Sequence, residues 1–260
     1  MPRWLEHPLT RGVPLDSPLT TELRRAIIAD KPFLRRIYDE WYGALAHRIP
    51  RGPGRVLEIG SGAGSFRDHV PDLIRSEVFR CANVDVVADA RHLPFSNASL
   101  RAIVMVDVFH HVPDVRQFMR EASRTVRNGG VIAMVEPWST TWSRFVYRTF
   151  HHEPFRPDAT HWEFEAAGPL SSANGALPWI VFARDRATFE HEFPQWTVEE
   201  IAPAMPLRYL LSGGLSLRSL MPGWSFAPWR GIERLMGPLL GSSAMFATIT
   251  LRRRSVSTSE

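Results

Sequence analysis

One short stretch of this chain constrains its fold more than any other. Residues 56–64 read Val-Leu-Glu-Ile-Gly-Ser-Gly-Ala-Gly, an apolar segment that carries one acid and runs directly into three glycines. Glycine tolerates positive φ and lets the backbone approach a ligand closely. Between the first strand of an α/β sheet and the next helix, such a loop cradles a nucleotide and aims helix N–H groups at it. The stretch therefore predicts an α/β fold with a cofactor site at this loop.

The spacing of the glycines narrows the choice of cofactor. Gly60, Gly62 and Gly64 follow one another at intervals of two residues. A dinucleotide fingerprint needs its third small residue three positions after the second, where this chain has Ser65. This disfavours a nicotinamide-dependent oxidoreductase, which stays open as the less favoured enzyme class.

The rest of the chain alternates strand-like and helix-like segments, which predicts a doubly wound, mostly parallel sheet. Seven strands are predicted, at residues 55–59, 73–77, 84–88, 102–106, 131–135, 197–202 and 245–251. Helices are predicted at residues 20–49, broken at Pro32, at 115–127 and at 184–193. About six residues link the second strand to the third, too few for a helical crossover. We expect a bare loop there or a shortened second strand.

Composition excludes some partners. The chain has 260 residues, which suits one domain, and a net charge of +4. Lys31 is its only lysine among 31 basic residues, and these are scattered, so nucleic acid is an unlikely partner by this measure. Cys81 is the single cysteine, so no intrachain disulfide is expected, and with no signal-like start we expect a cytoplasmic protein.

A membrane span is not predicted. Residues 235–251 carry no charge over 17 positions, but glycines, a proline and a serine pair within them read as a loop that feeds a strand. Nine tryptophans, most of them beyond residue 137, leave peripheral membrane contact open. Oligomeric state cannot be read from the sequence.

Two regions have little periodicity. Residues 138–180 and 203–243 are rich in Trp, Pro, His or Gly, and long irregular segments inside one domain are usually functional. We divide the single domain, residues 1–260, into a helical segment (1–50), a cofactor-binding core (51–137), these two substrate-cap insertions and a last strand (244–251).

The ordered motifs between Arg55 and Pro137 resemble those of class I S-adenosylmethionine-dependent methyltransferases, in the small-molecule, type 11-like branch. Residues 58–64 resemble motif I, and Asp89-Ala90 followed by Leu93-Pro94-Phe95 resembles the next signature. The resemblance implies a Rossmann-like seven-stranded sheet with an antiparallel last strand and S-adenosylmethionine as cofactor. The two strands near the C-terminus fit that ending.

The resemblance also implies which residues hold the cofactor. The acid and loop would hold the methionine moiety, a strand-end carboxylate would accept hydrogen bonds from the ribose, and a later acid with its neighbour would contact the adenine. In this chain the predicted cofactor-binding residues are Glu58, Gly60, Ser61, Gly62, Gly64, Glu77, Asp89, Ala90 and Asp107. Each carboxylate could instead be an ordinary strand-end acid.

Asp107 is followed by Val-Phe-His-His-Val-Pro, which resembles motif IV of the small-molecule branch and lacks the Pro-Pro-Tyr of base-amino methyltransferases. If the acceptor is a hydroxyl, a base must take its proton, and histidine suits neutral pH. His110 and His111 are therefore the predicted catalytic residues. The alternative is that they only shape the pocket wall.

The first cap holds three histidines and two glutamates within 13 residues, at positions 151, 152, 153, 161 and 163. Their spacing is no standard ligand set, so no metal is predicted, and a base, a substrate contact or plain polar surface stays open for them.

The sequence thus predicts a methyltransferase that acts on a small-molecule, glycan-like or lipid-linked hydroxyl by in-line methyl transfer. A non-catalytic protein that binds S-adenosylmethionine is the main alternative.

Overall fold

The computed structural model describes residues 6–10, 12–63, 65–150, 153–166, 168 and 170–255. Within them the strands are β1 Arg55–Ile59, β2 Leu73–Glu77, β3 Val86–Val87, β4 Leu100–Val106, β5 Val126–Pro137, β6 Trp196–Ala204 and β7 Phe246–Arg253. The helices are α1 Pro18–Asp30, α2 Pro32–Arg48, α3 Val115–Thr125, α4 Thr141–Phe150, α5 Leu177–Trp179, α6 Arg186–Glu192, α7 Arg208–Ser212, α8 Phe226–Leu235 and α9 Leu240–Ser243. One π-helical turn, Ile180–Arg184, joins α5 to the segment before α6.

The seven strands form one sheet in the order β3-β2-β1-β4-β5-β7-β6. Neighbours from β3 to β5 are parallel, and β7 runs antiparallel to both β5 and β6. The chain therefore reverses its winding direction on either side of β1, where β2 and β4 both pair with it. In open α/β sheets, ligands bind at such a switch point, outside the carboxyl ends of the strands. This architecture confirms the predicted Rossmann-like sheet with its antiparallel strand.

Most predicted elements are present with shifted ends. The bare loop between β2 and β3 is confirmed, but the shortened strand is β3, with two residues, and not β2. Strand β5 begins at Val126, five residues earlier than predicted, because Val126 already pairs with Leu100 across a register shift.

One expectation at the glycine loop is wrong. No α-helix follows β1 in the described part of the link to β2, which holds only the 3-10 turns Ser61–Ala63 and Phe66–Asp68. Helix α1 from the N-terminal segment packs on this loop in its place, and Arg25 of α1 donates a hydrogen bond of 2.8 Å to the carbonyl oxygen of Gly62. A helix outside the βαβ unit thus supports the loop.

Local signals explain where the other helices begin. Pro18 and Pro32 open α1 and α2, where a missing N–H costs nothing, and Lys31 separates the two helices as predicted. Asp114 caps α3 by accepting a hydrogen bond of 2.8 Å from the amide of Gln117. Helices α2, α3 and α5 all pack against β5. The buried apolar side chains of β1, β4, β5 and β7 form the centre of the core.

No helix among the described residues is both long and apolar enough to cross a bilayer. The uncharged stretch at residues 235–251 is divided between the end of α8, α9 and β7.

Candidate cofactor and acceptor site

A cavity of about 390 Å³ opens at the carboxyl edge of the sheet, beside the ends of β1, β2 and β4. Seven of the predicted site residues border it: Glu58, Gly60, Glu77, Asp89, Ala90, Asp107 and His111. Residues that lie up to 53 positions apart in the sequence are brought together there because parallel strands end at the same edge. We call this space the cofactor cavity.

The glycine loop forms one wall of the cofactor cavity. Gly60 has φ +72°, and a Cβ atom there would overlap the side chain of Val108. A Cβ at Gly62 would overlap Thr21 and lie 2.7 Å from Oε1 of Glu77. The loop therefore needs glycine at these positions because neighbouring side chains of the protein pack closely against it, whether or not a ligand is bound.

Two predicted contact residues hold the loop in shape. The amide of Gly62 donates to Oε1 of Glu77 at 2.9 Å, and Oγ of Ser61 donates to the carbonyl of Ser76 at 3.2 Å. Neither Ser61 nor Gly62 borders the cavity. Gly64, also a predicted contact, lies outside the described residues. The direct cofactor contacts of Ser61 and Gly62 stay predictions.

Glu58 is buried at the end of β1 with one oxygen, Oε2, that has no hydrogen-bond partner. Burial, reinforced by the charge of nearby Glu77, raises the pKa of Glu58 to about 8. A buried polar atom without a partner is rare in folded proteins, and the usual explanation is a ligand or water. An ammonium group in the cofactor cavity is a donor that this oxygen could accept from, and the amino group of a methionine moiety is one.

Glu77 lies at the end of β2 and is also buried. Oε1 accepts from Gly62, and Oε2 lies 3.3 Å from the amide nitrogen of Val78. Burial raises the pKa of this carboxyl, although the two backbone hydrogen bonds oppose the change. A carboxylate has about four acceptor positions, so ribose hydroxyls could still bind to it.

Asp89 has a different partner from the one predicted. The guanidinium of Arg91 forms a fork on its carboxylate, with Nη2 at 2.7 Å from Oδ2, and this hydrogen bonding lowers the pKa of Asp89. Arg91 and Ala90 border the cofactor cavity next to it. Contact between Asp89 and an adenine amino group stays a prediction, and it would share the carboxylate with Arg91.

Asp107 follows β4 and borders both the cofactor cavity and a second, water-sized cavity of about 10 Å³. Its φ is +60°, a left-handed conformation that Asp tolerates better than most residues. Burial raises the pKa of Asp107 to about 6, even though His110 favours its ionised form. The second cavity is also bordered by Tyr147, Glu153 and Tyr209. We call the position of Asp107, which borders both cavities, the junction.

His110 is 1% exposed and does not border the cofactor cavity. Its Nδ1 lies 2.8 Å from Oε2 of Glu136, and its Nε2 lies 3.3 Å from Oε2 of Glu153. Burial disfavours the charged ring, but the carboxylates of Glu136 and Glu153 outweigh burial and raise the pKa of His110 well above its usual range.

His111 borders the cofactor cavity and has the opposite charge preference. Burial and the charge of His110 lower the pKa of His111 to about 3. Nδ1 of His111 lies 3.0 Å from the carbonyl oxygen of Ser172. The adjacent histidines are therefore not equivalent, and only one of them faces the cofactor cavity.

Several residues at the site were not predicted. Thr21 and Arg24 of α1 and Tyr38 and Tyr42 of α2 border the cofactor cavity. The two tyrosines are four positions apart, so they share one face of α2 with its apolar residues. The four-residue spacing of the two tyrosines was the sequence signal that could have identified them as site residues.

Glu136, also missed, is fully buried near the end of β5. Its Oε1 accepts from the amides of Val108 and Phe109 at 2.9 and 2.7 Å, while Oε2 faces His110. It shapes the segment that carries both histidines. Its position directly after the predicted strand 131–135 placed it at the carboxyl edge, like Asp107, but did not indicate that it would face His110.

Both predicted caps contribute to the site. Ala166, Gly168 and Leu170 of the first cap and Leu215 of the second border the cofactor cavity. Of the polar residues noted in the first cap, Glu153 reaches the histidine pair, while Glu163 binds Arg116 at 2.9 Å. His151 and His152 lie outside the described residues.

Known proteins share this sequence pattern. A family model described as "Methyltransferase domain" matches residues 32–169. A probable S-adenosylmethionine-dependent methyltransferase of Mycolicibacterium smegmatis is 32% identical over 147 residues, 51% of this chain and 56% of that protein. Methyltransferase GfsG of Streptomyces halstedii is 37% identical over 94 residues, 36% of this chain and 34% of that protein. The chain thus spans about half of the first relative's length and about a third of the second's.

Solved structures share the fold at low identity. The [4+2]-cyclase SpnF superimposes with a TM-score of 0.54 at 13% identity, covering 91% of this chain and 94% of that one. A Thermotoga maritima protein described as an S-adenosylmethionine-dependent methyltransferase, possibly a histamine N-methyltransferase, gives a TM-score of 0.51 at 13% identity. The match covers 90% of this chain and 99% of that one. The family model covers more than half of the chain. The motifs of this chain lie at the strand ends where the cofactor cavity opens. The chain belongs to the class I methyltransferase family.

Proposed function

We propose that this protein transfers the methyl group of S-adenosylmethionine to a hydroxyl oxygen of a small-molecule, glycan-like or lipid-linked acceptor. One observation carries the proposal. At the β1 end the cofactor cavity is bordered by Glu58, a buried acid with one oxygen that has no hydrogen-bond partner, and at the β4 end it is bordered by Asp107. A cofactor with an amino group at one end and a reactive methyl toward the other fits this polarity.

Each residue would have a role set by its position in the cavity. Glu58 would accept from the cofactor amino group, Glu77 from the ribose, and the backbone near Ala90 would contact the adenine. S-adenosylmethionine supplies an electrophilic methyl group. The protein holds the acceptor oxygen in line with it, and such positioning supplies much of the rate enhancement.

We assign the acceptor's proton to Asp107. It borders both cavities, so it can reach a group placed between them. The nitrogens of the predicted bases, in contrast, already face protein oxygens: His110 faces Glu136 and Glu153, and His111 faces Ser172 and Glu153. A histidine base stays a prediction, and Asp107 is the alternative general base.

Exposed apolar residues near the second cap support a lipid-linked acceptor or membrane contact among the possible classes. Trp224 is 78% exposed and Leu235 of α8 is 84% exposed. A lipid extract therefore belongs in any acceptor search. A cytoplasmic location stays a prediction.

The test has a binding part and a turnover part. Isothermal titration should detect S-adenosylhomocysteine binding to the pure protein, and no binding at millimolar concentration would contradict the proposal. Mass spectrometry of polar and lipid extracts, incubated with enzyme and methyl-labelled cofactor, should find a product one methyl heavier. Binding without any product would favour the non-catalytic alternative.

With an acceptor in hand, variants decide between the two candidate bases. Asp107→Asn should lower kcat by about 10²–10⁴-fold, the usual contribution of a general base, and leave S-adenosylhomocysteine affinity within threefold. Asp158→Asn, an exposed acid of the first cap, is the control. A loss of kcat below about tenfold in Asp107→Asn would overturn this assignment and leave the histidine prediction standing.

A further inference from the structure

Three side chains from two distant parts of the chain converge beside the junction. We call His110, His111 and Glu153 the His-His-Glu cluster. Nε2 of His110 lies 3.3 Å from Oε2 of Glu153, and Nε2 of His111 lies 3.8 Å from Oε1 of the same carboxylate. One ligand-type atom from each residue lies within 4.8 Å of the other two.

The far side of each ring fixes which nitrogen carries the proton. Nδ1 of His111 faces the carbonyl oxygen of Ser172, which can only accept, so Nδ1 must donate. Nδ1 of His110 faces the carboxylate of Glu136, whose other oxygen already accepts two backbone amides. In the neutral rings, both Nε2 atoms therefore present lone pairs.

Both lone pairs are directed to one carboxylate, which is an unusual arrangement for a buried site. Nε2 of His110 is buried and has no hydrogen bond of normal geometry. A proton on His110 would satisfy its own contact with Glu153 but not the lone pair of His111. A metal cation satisfies all three groups at once.

The geometry matches a known ligand pattern. We propose that the His-His-Glu cluster binds one divalent transition-metal ion of the zinc type through Nε2 of His110, Nε2 of His111 and the carboxylate of Glu153. With bonds of about 2.0–2.1 Å, adjacent ligand atoms of a tetrahedral zinc site lie roughly 3.3–3.4 Å apart. The two contacts to Glu153 are within a few tenths of an ångström of that spacing.

The surroundings of the cluster fit a metal site in two further respects. Histidine ligands usually donate their second N–H to a carboxylate or a carbonyl, which orients the ring and strengthens the ligand, and Glu136 and Ser172 provide these two acceptors. Two nitrogens and one carboxylate favour zinc-type ions over Mg²⁺ or Ca²⁺, which prefer oxygen.

Three protein ligands leave one tetrahedral position open, as in catalytic zinc sites. His111 borders the cofactor cavity and Glu153 borders the second cavity, so the cluster has one member at each. Its consequence for the acceptor rests on the proposed function, because an ion there would hold the acceptor oxygen. Its existence does not, because metal binding is measured without cofactor or acceptor.

Cobalt absorption is the direct test. The whole chain, stripped with a chelator and desalted, is titrated with Co²⁺, which gives intense visible bands when four-coordinate. We expect one Co²⁺ per chain, displaced by one Zn²⁺. Glu153→Gln and His111→Gln should each weaken Co²⁺ binding more than tenfold, and Glu136→Gln about 10–100-fold, because it orients His110 without touching the ion.

A matched control comes from the same cap. His161→Gln, an exposed histidine, should leave Co²⁺ affinity and spectrum unchanged. Circular dichroism and a thermal melt establish that each variant is folded, and two independent ligand variants keep the test decisive if one is not. The absence of a four-coordinate spectrum with the wild type at millimolar Co²⁺ would overturn the metal site. Wild-type Co²⁺ affinity in both His111→Gln and Glu153→Gln would also overturn it. S-adenosylhomocysteine titration of the stripped protein separates this failure from failure of the proposed function.

Discussion

The β1 end and the β5 end of the carboxyl edge each bury a glutamate, and the protein satisfies the two differently. Glu58 at the β1 end keeps one oxygen without a hydrogen-bond partner, beside the cofactor cavity. Glu136 at the β5 end uses both oxygens, one for two backbone amides and one for His110. Burial of a carboxylate is costly unless it is hydrogen-bonded. Glu136 is thus satisfied within the protein, whereas Glu58 is not.

The largest expected effect tests whether Glu136 is structural. Glu136→Ala leaves two buried amides and Nδ1 of His110 without their acceptor, so the free energy of unfolding should fall by about 3–5 kcal/mol. Urea unfolding followed by circular dichroism measures it. Glu58→Gln should change stability by less than about 1 kcal/mol, because Oε2 of Glu58 has no protein partner to lose. Equal losses in the two variants would remove the distinction between the two ends.

The second prediction concerns the loop at the β1 end. Gly60→Val should abolish S-adenosylhomocysteine binding, a loss of more than about 100-fold, because its side chain would overlap Val108 in a left-handed conformation. Gly129→Val is the matched control, since Gly129 has φ +73° but a Cβ there would meet no atom within 4 Å. Isothermal titration compares them. Normal binding by Gly60→Val would mean that the motif is misassigned.

The third prediction tests the proposed contact of Glu58 with the cofactor. Glu58→Gln should weaken S-adenosylhomocysteine binding by about 1.5–3 kcal/mol, the worth of a hydrogen bond to a charged group. Asp85→Asn, a strand-flanking acid that does not border the cavity, should bind normally. An unchanged affinity in Glu58→Gln would place the amino group of the cofactor elsewhere.

The smallest expected effect is the number of protons released when S-adenosylhomocysteine binds. With a pKa of about 8, Glu58 is mostly protonated at pH 7 in the free protein. A bound ammonium group favours the carboxylate and lowers this pKa, so nearly one proton should be released on binding at pH 7. Titrations in buffers of different ionisation enthalpy measure the release, which should fade as pH rises above 8. Glu58→Gln should release none; an unaltered release would point to Glu77, the other carboxyl at this end with a raised pKa.

The two ends also differ in how far the sequence predicts them. At the β1 end, the acid and the glycines are contiguous, and each residue type has a local reason, so Glu58, Gly60 and the strand around them were predictable. Glu77, Asp89 and Asp107 could be added because each follows a recognisable strand, and strand ends meet at one edge. The family is confirmed by the match over residues 32–169.

At the β5 end, the decisive contacts join residues far apart in the chain. Glu136 meets His110 across 26 positions, and Glu153 reaches the same ring from the first cap. Neither spacing is a local signal, so the sequence indicated the histidine pair and Glu153 of the first cap, but not that Glu136 and Glu153 contact the pair. The helix expected after β1 is missing for a similar reason: α1, from outside the core motif, supports the loop.

The sequence by itself determined the order of strands and helices, the glycine loop and the strand-end acids, because periodicity, turn residues and backbone sterics act over a few neighbouring positions. Tertiary structure decided which carboxylate is satisfied, which histidine borders the cavity and which cap residue reaches the pair. Burial and hydrogen-bond partners depend on packing between distant segments, and these two quantities set the charge and the chemistry of each group.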